Sequence, residues 1–275
     1  MTFPLDAYLA RLSLAKPNAS LSALRQVQNN QQKTIPFENI DPLRGIVPSL
    51  DPEDLFHKLV SEQRGGYCFE LNGLFGEALR ALGFAIQPVL ARVRLGAPVG
   101  GPKAHLAWIV TLDGEEWLAD TGFGGPGPRH PIRVVPGLVQ TEEYESFRLV
   151  PDSATGDLVL ERMEPKGWFA LYSFDRAPVA ASDIAAGNFL SAKWTGLSPF
   201  PDNLMMSIRT ADGRVSVFNR TVTQVVGGGA ATRRRLGTPD ELGALMKADF
   251  ALDLDSRSVR EIWLRLEARE PGVAA

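Results

Sequence analysis

Three residues of this chain have the types and the order of a nucleophilic catalytic site. Cys68 is the single cysteine among 275 residues, so it can form no disulfide within the chain. A thiol is mostly protonated at neutral pH and needs a base to become a nucleophilic thiolate. A histidine base in turn needs a carboxylate that fixes its tautomer and stabilises its charged form. His105 and Asp120 follow Cys68 in that order.

A predicted helix would position Cys68. The segment that starts in RGGYCFELN carries apolar residues on one helical face, namely Leu71, Leu74, Phe75, Ala78 and Leu82. Gly83 is a natural helix stop, and Gly65 and Gly66 give a flexible approach to the helix. Cys68 should therefore lie at or near the helix N-terminus, where the helix dipole favours a thiolate.

A predicted hairpin would bring His105 and Asp120 together. The segment AHLAWIVTLDGEEWLAD contains Asp113-Gly114, a preferred two-residue hairpin turn. That turn places Ala107 opposite Asp120, and strand alternation puts His105 on the same face as Ala107. His105 and Asp120 are then diagonal neighbours within reach of a hydrogen bond. A slip of one residue would turn Asp120 to the other face, so the register alone tests this interpretation.

Each of these residues also has a less specific interpretation. A lone cysteine is often an inert core residue, a strand histidine is often structural, and an aspartate before Thr-Gly is often a turn residue. The other histidines, His57 and His130, have no acidic residue placed beside them by an evident hairpin. Three scattered histidines and one cysteine predict no metal site.

The charge and composition argue against nucleic-acid-binding and membrane proteins. A formal net charge of -3 gives no electrostatic case for binding nucleic acid or an anionic membrane surface. Asp6 and Arg11 interrupt the apolar N-terminal segment, which is unlike a signal peptide, and no apolar run approaches the roughly 18 residues of a membrane span. The single cysteine favours a reducing compartment, so we predict a cytoplasmic protein.

The rest of the sequence indicates a mixed architecture. Helical patterns occur in LDAYLARLSL, LSALRQVQNNQQK and DPEDLFHKLVSEQ, with TIPFENID as an irregular break between the second and third. From Phe84 the period changes to two in FAIQPVLARVRL, AHLAWIVTL, EEWLAD and SFRLV. Short strands separated by glycine- and proline-rich turns are typical of an antiparallel sheet or a small barrel.

The C-terminal part also mixes strands and helices. NLMMSIRT and VSVFNRTVTQVV predict a hairpin with its turn at Asp212-Gly213. VVGGGAATRRR reads as a surface loop, and it lacks the lysine spacing of a P-loop. TPDELGALMKADF and SRSVREIWLRLEARE predict two helices.

Several of these motifs together resemble one known family. IPFENID, RGGYCFELN, AHLAWIV and WLADTGFGG are similar, in this order, to motifs of the arylamine N-acetyltransferases. DAYLARL and ALMKADFALDL extend the resemblance to about residues 6–255. The resemblance implies an α+β fold with a helical bundle over residues 1–84, an antiparallel β-barrel over 85–190 and an α/β lid over 191–275. It also implies a catalytic core similar to that of cysteine proteases and transglutaminases.

The resemblance also implies a reaction. Cys68 would accept an acetyl group from acetyl-CoA, and an arylamine, hydrazine or arylhydroxylamine would then remove it in a ping-pong cycle. His105 would act as the base and Asp120 would orient it. Acetyl-CoA is then a co-substrate with no tightly bound cofactor, and a role in xenobiotic metabolism follows. The sequence leaves a monomer and a homodimer open.

Further residues acquire roles only through the resemblance. Phe37 and Phe123 match residues that line the acceptor pocket, and aromatic faces suit a flat arylamine. Gly124 and its GGPG loop match the region where CoA approaches, while Glu38 and Arg64 match a buried supporting ion pair. Ordinary core packing is the alternative for the two phenylalanines, and a plain turn is the alternative for Gly124.

The chain departs from the family pattern at two places. The family commonly has a Leu-His-x-x-His run before Pro-Phe-Glu-Asn, whereas this chain reads RQVQNNQQKTIPFEN. In the lid, Pro201 and Asn203 stand where serine and phenylalanine are common, which leaves the CoA contacts and the acyl donor open. A thiol hydrolase or a transglutaminase-like enzyme with the same triad is the alternative function, although the GFG and PFEN motifs argue against it. A non-enzymatic protein with a buried Cys68 is the third interpretation.

Overall fold

The computed structural model describes residues 2–269. Its α-helices are α1 (Leu5–Arg11), α2 (Leu21–Thr34), α3 (Ile40–Leu43), α4 (Pro52–Phe56), α5 (Cys68–Ala81), α6 (Ala181–Lys193), α7 (Pro239–Phe250) and α8 (Ser256–Glu267). A π-helical turn, His57–Ser61, continues directly from α4. No helix in this range is long and apolar enough to cross a membrane.

The strands form two antiparallel sheets. They are β1 (Phe37–Glu38), β2 (Ala85–Val93), β3 (Lys103–Leu112), β4 (Glu115–Ala119), β5 (Ile132–Arg133), β6 (Gln140–Glu142), β7 (Glu145–Pro151), β8 (Leu158–Glu164), β9 (Gly167–Phe174), β10 (Met205–Arg209), β11 (Gly213–Phe218), β12 (Thr221–Val226) and β13 (Thr232–Arg235). The larger sheet has the order β5-β4-β3-β2-β9-β8-β7-β6, and the smaller has the order β1-β10-β11-β12-β13.

The larger sheet is a nearly closed barrel. Its edge strands β5 and β6 meet through reciprocal hydrogen bonds, in which Arg133 N donates to Gln140 Oε1 (2.8 Å) and Gln140 Nε2 donates to Arg133 O (2.9 Å). Closure removes most of the unpaired backbone that an open edge would expose. Together with the helices, this barrel confirms the predicted α+β class.

Helix α5 fits against the barrel as its sequence pattern predicts. Leu71, Leu74 and Phe75 on its apolar face are fully buried. Gly76 makes room for the Trp108 indole, because a Cβ at Gly76 would lie 2.3 Å from Trp108 Cζ2. The helix therefore approaches β3 closely.

The β3–β4 hairpin has the predicted register. Leu112 pairs with Glu115 at the turn, and Asp113 and Gly114 have φ values of 52° and 76°. Two successive positive φ values define the tight turn that suits the twist of a hairpin. Strand β4 ends at Ala119, so the residue that follows it, predicted to face His105, opens a loop.

The predicted turn of the β10–β11 hairpin is wrong by one residue. Arg209 pairs with Arg214, and Thr210 N donates to Gly213 O, so residues 211 and 212 are the central pair. Gly213 is needed for another reason. A Cβ there would lie 1.9 Å from the backbone oxygen of Val225, so the glycine allows β12 to approach.

Two segments predicted as irregular contain strands. In TIPFENID, Phe37 and Glu38 form β1, which pairs with β10. In VVGGGAATRRR, Thr232–Arg235 form β13, which pairs with β12. Both strands lie at the edges of the smaller sheet. Neither has an alternating apolar pattern of its own, so each forms because a partner strand is available to pair with it.

Candidate active site

Cys68 lies at the start of α5 with its side chain against the barrel. It is the first helical residue and its relative exposure is 3%. Its Sγ lies 3.8 Å from the backbone oxygen of Ala104, the residue before His105 on β3, and Cys68 and His105 line the same cavity. The structure therefore brings the cysteine and the histidine together, although 37 residues separate them along the chain.

Both carboxylate oxygens of Asp120 form hydrogen bonds. The imidazole Nε2 of His105 lies 2.7 Å from Asp120 Oδ2, and both residues are buried. The second oxygen, Oδ1, accepts from Asn72 Nδ2 (2.8 Å), Gly122 N (2.8 Å) and Phe123 N (3.1 Å). A carboxylate with all these donors is oriented and kept anionic. It can fix the histidine tautomer in the way that a nucleophile–base pair requires.

The charges of the site favour a protonated His105. Burial alone would lower its pKa, but the charge and hydrogen bond of Asp120, together with the hydrogen bond and charge of Cys68, raise the pKa of His105 to about 10. Burial would also raise the pKa of Asp120, but the facing His105 and the donors from Asn72 and Gly122 hold it below its usual range. The charges of the site therefore favour an imidazolium at His105 that faces the carboxylate of Asp120.

We expect this imidazolium to persist across the neutral range. Because the folded-state pKa of His105 lies above the ordinary value of 6.5, its protonation stabilises the fold fully below about pH 6.5, and this stabilisation is lost as the pH rises through about 10. NMR of protein labelled at the histidine Cε1 carbons, with His105→Asn to assign the signal, measures the titration. Loss of the His105 proton near pH 6.5 would contradict the expected ion pair.

A cavity of about 590 Å³ opens next to these side chains. Its wall is mostly apolar and includes Cys68, His105, Phe37, Phe123, Gly124 and Phe200. The Phe123 ring meets the His105 ring edge-on at 5.2 Å between centroids, and the Phe37 and Phe200 rings lie 5.9 Å apart. The structure therefore places both predicted aromatic residues on the wall of the cavity that contains the thiol.

Two glycines of the GFG segment are required by close approach or by conformation. At Gly122, a Cβ would lie 2.8 Å from Cys68 Cα and 2.7 Å from Asn72 Nδ2, so a side chain there would displace the nucleophile. Gly124 has a φ of 80°, which favours glycine, and it faces the Phe37 ring. The loop can thus run along the cavity wall without filling it.

Comparison with known proteins decides the family. A family model described as N-acetyltransferase matches residues 20–259. The chain is 38% identical over 258 residues to the arylamine N-acetyltransferase of Escherichia coli strain K12, which covers 93% of this chain and 91% of that protein. This chain belongs to the arylamine N-acetyltransferase family. The resemblance seen in its motifs is therefore confirmed, and the chain is an acyltransferase.

Two further relatives extend the comparison. The Salmonella typhimurium arylamine N-acetyltransferase / N-hydroxyarylamine O-acetyltransferase is 35% identical, with 93% of this chain and 91% of that protein covered. The structure of the Mycobacterium marinum arylamine N-acetyltransferase in complex with CoA superposes with a TM-score of 0.85 and 32% identity, covering 96% of this chain and 97% of that one. The fold and its cysteine-protease-like core are thus those of the arylamine N-acetyltransferases.

Helix α2 departs from the common arylamine N-acetyltransferase sequence, and its glutamines form hydrogen bonds with the loop that follows β4. Gln32 Nε2 donates to Asp120 O (2.9 Å) and to Pro128 O (3.0 Å). Gln28 Oε1 accepts from Asp120 N (3.2 Å). Amides of α2 therefore hold the backbone of the loop that carries the carboxylate. Sequence reasoning missed them because polar residues on a helix resemble a solvated face.

Gln31 is the most deeply engaged of these glutamines. It is fully buried, and its Nε2 donates to Leu71 O and Thr121 Oγ1, both at 2.9 Å. Its Oε1 accepts from Tyr8 Oη at 2.6 Å. One side chain thus links α1, α5 and the loop after β4.

Replacing Gln31 with leucine should destabilise the fold. The change leaves the buried hydroxyl of Tyr8 without its acceptor, and an unsatisfied buried group costs about 1–3 kcal/mol. Urea denaturation measures the free energy of unfolding. Gln26→Leu, on the exposed face of the same helix, is the control and should change this free energy by less than about 0.5 kcal/mol. Equal effects of the two changes would contradict the assigned role.

A network of buried charges lies beneath the start of α5. Arg64 NH2 lies 2.7 Å from Glu38 Oε1, so the pair implied by the resemblance is present. Lys58 joins it with Nζ 2.6 Å from both Asp41 Oδ2 and Glu70 Oε1. The sequence offered no signal for this network of charges, because Lys58, Asp41 and Glu70 come from three separate elements.

Glu70 connects this network to the nucleophile. Its Oε2 accepts from Tyr67 N at 3.1 Å, which caps the first turn of α5 immediately before Cys68. Burial raises the pKa of Glu70 to about 7, although the positive charge of Lys58 acts to lower it. A glutamate three residues after the N-cap residue, here Tyr67, is a recognisable sequence signal of a capping box. It identifies Glu70 as a residue that stabilises the start of α5.

The other histidines lie away from the cavity. His130 Nδ1 lies 3.3 Å from Glu142 Oε1, and the exposed His57 Nδ1 lies 3.4 Å from Glu62 Oε1. Neither lines the cavity that contains Cys68. Within residues 2–269, no group of three or more histidine, cysteine, aspartate or glutamate side chains is arranged to hold a metal ion.

Proposed function

We propose that this enzyme transfers the acetyl group of acetyl-CoA to small arylamines, hydrazines and arylhydroxylamines through an acetyl-Cys68 intermediate. The observation that carries the proposal is the convergence of three side chains beside one cavity. His105 lies 2.7 Å from Asp120, and His105 and Cys68 line the same cavity. The names of the relatives support arylamines and arylhydroxylamines as acceptors, and the CoA complex of the M. marinum enzyme supports the acyl donor.

In the first half-reaction the Cys68 thiolate attacks the thioester carbonyl of acetyl-CoA. A tetrahedral intermediate forms, and it collapses with cleavage of the bond to the CoA sulfur. His105 gives its proton to the departing CoA thiolate, so CoA leaves as a thiol and the imidazole becomes neutral. The raised pKa of His105, about 10, supports a resting state in which that proton is already on the ring.

In the second half-reaction an amine attacks the acetyl carbonyl on Cys68. Neutral His105 accepts the proton of the attacking nitrogen, and Asp120 stabilises the imidazolium that forms. The carbon–sulfur bond then breaks, which releases the amide and restores the thiolate–imidazolium pair. An arylhydroxylamine reacts in the same way through its oxygen.

The cavity supports an aromatic acceptor. Phe37, Phe123 and Phe200 provide flat apolar surfaces close to the thiol, and such surfaces favour stacking with an aryl ring. We assign Phe37 and Phe123 to acceptor binding. We assign the turn at Gly124 to the approach of the CoA thioester, because a glycine there keeps the wall of the cavity open.

Two further features belong to the proposal. The three-domain division at residues 1–84, 85–190 and 191–275 is supported at its first boundary, because α5 ends at Ala81 and the barrel strand β2 begins at Ala85. The second boundary falls inside α6 (Ala181–Lys193), so the helix itself joins the barrel to the lid. A cytoplasmic location suits a catalytic thiol, since a reducing compartment keeps it from oxidation.

Intact-protein mass spectrometry tests the proposed function. Acetyl-CoA alone should add one acetyl group, located on Cys68 by peptide mapping, and an added arylamine or hydrazine should remove it as the acetylated amine. Rapid release of free acetate without an amine would instead indicate the hydrolase. No adduct, and no alkylation by iodoacetamide, would indicate an inert buried thiol and overturn the proposal.

A further inference from the structure

A row of side chains crosses the smaller sheet from the thiol-containing cavity to an arginine. Phe37 pairs with Ser207, Ser207 with Ser216, Ser216 with Thr223, and Thr223 with Arg233. Residues directly opposite one another in paired strands point to the same face of the sheet. The first four line the cavity. Arg233 therefore lies on the cavity face of the sheet, at the outer rim.

The charge of Arg233 is not used by the fold. The structure shows no ion pair or hydrogen bond of its side chain within residues 2–269, and the residue is exposed. Other arginines near the cavity are already engaged, since Arg94 lies 2.6 Å from Asp152 and Arg214 lies 2.8 Å from Glu145. Arg233 is thus free to bind an anion that reaches the mouth of the cavity.

The distance along the row fits one part of the acyl donor. Four steps between neighbouring strands at about 4.8 Å each place Arg233 about 19 Å from Phe37. This is comparable with the extended pantetheine arm, which separates the thioester of a CoA donor from its phosphates. Ser207, Ser216 and Thr223 line the path between them, and their hydroxyls can donate to or accept from the amides of such an arm.

We propose that Arg233 binds the phosphorylated end of the CoA thioester and so helps to select CoA over donors that lack phosphate. This proposal rests on the proposed function, and it assigns a specificity-determining residue to that reaction. A guanidinium matches phosphate oxygens with two parallel hydrogen bonds. Because Arg233 is exposed, solvent weakens the contact, so we expect an effect of about fivefold on binding. Added salt should reduce that effect further.

The neighbouring Arg234 provides a matched control. It pairs with Val222, which is buried on the opposite face of the sheet from Thr223. R234A therefore removes the same charge one residue away, but not on the cavity face. Kinetics of both variants are compared with two donors, acetyl-CoA and acetyl-pantetheine. These share the thioester and the pantetheine arm, and acetyl-pantetheine lacks the phosphates together with the adenosine.

We expect R233A to raise the KM for acetyl-CoA about fivefold with little change in kcat, and to leave acetyl-pantetheine unaffected. R234A should leave both donors unaffected, and R233K should recover part of the loss. An equal effect of R233A and R234A would indicate a general charge effect, and an effect of R233A on both donors would indicate a structural one. Either result, or no effect, overturns the assignment of Arg233.

Failure of the proposed function would look different. A wild-type protein that forms no acetyl adduct with either donor contradicts the proposed function itself. Equilibrium binding of CoA to the wild type, R233A and R234A then tests Arg233 without turnover. A Kd for CoA that is about fivefold weaker only in R233A supports the phosphate contact, and equal Kd values overturn it.

Discussion

Replacing Cys68 with serine should abolish acetyl transfer. A serine hydroxyl is close in size to the thiol and suits the first turn of a helix, so α5 should form unchanged. A hydroxyl is far less acidic than a thiol, so His105 cannot turn the serine into a comparable nucleophile. We expect the rate of arylamine acetylation to fall by about 10⁴-fold or more, as for the loss of other catalytic nucleophiles. Turnover assays and the mass of the protein after acetyl-CoA addition measure the effect.

Ser191 offers a control close to the nucleophile. Its Oγ lies 3.4 Å from Ala104 O, the same carbonyl that Cys68 Sγ approaches, and it lines the same cavity. Ser191→Ala should keep the acetyl adduct and lose at most a few-fold in rate. Cys68→Ala should behave like Cys68→Ser in both assays and should still unfold cooperatively on heating. A Cys68→Ser protein that still turns over near the wild-type rate would remove the covalent intermediate from the mechanism.

Asp120→Asn should reduce the rate by roughly 10³- to 10⁴-fold, in line with the same change in other histidine–aspartate pairs. The amide oxygen of asparagine can still accept from Asn72, Gly122 and Phe123, so the loop should keep its shape. The amide nitrogen, however, would face His105 Nε2 in place of a carboxylate oxygen. It can donate but not accept, which imposes the other tautomer and removes the charge that favours the imidazolium.

The same variant should also make Cys68 less reactive towards an alkylating reagent. The charge of Asp120 is the main contribution that raises the pKa of His105 against burial, so without it the imidazolium beside the thiol becomes less populated at neutral pH. Alkylation by iodoacetamide should therefore slow together with turnover. Asp113→Asn, an exposed change in the turn of the same hairpin, should leave both rates unchanged because asparagine suits that turn equally well. Near-normal activity of Asp120→Asn would show that the aspartate does not control the tautomer.

Local signals predicted the parts of the site that depend on neighbouring residues. Asp113-Gly114 set the register of the hairpin, and that register brings Asp120 to His105. The apolar period and the flanking glycines placed Cys68 at a helix start. In each case the residues that determine the local structure lie within one hairpin or one helix and its flanking turns.

Features that depend on distant segments were not predictable in this way. Gln32 reaches the backbone of Asp120 across 88 residues, and nothing in helix α2 by itself distinguishes that amide from a solvated one. Gly213 resembled a turn residue, but the close approach of Val225 on the next strand requires it. Such contacts exist only once the sheets and helices are assembled, so local propensity cannot report them.

The pairing of β1 with β10 has a consequence for synthesis of the enzyme. Phe37 belongs to a strand near the beginning of the chain, yet its partner Ser207 is translated much later. While the ribosome is still making the barrel, the thiol and its histidine can already exist, but Phe37 beside them still lacks its partner strand β10. The cavity is therefore completed only when translation is nearly finished, and products that stop before Met205 should fold without a complete acceptor pocket.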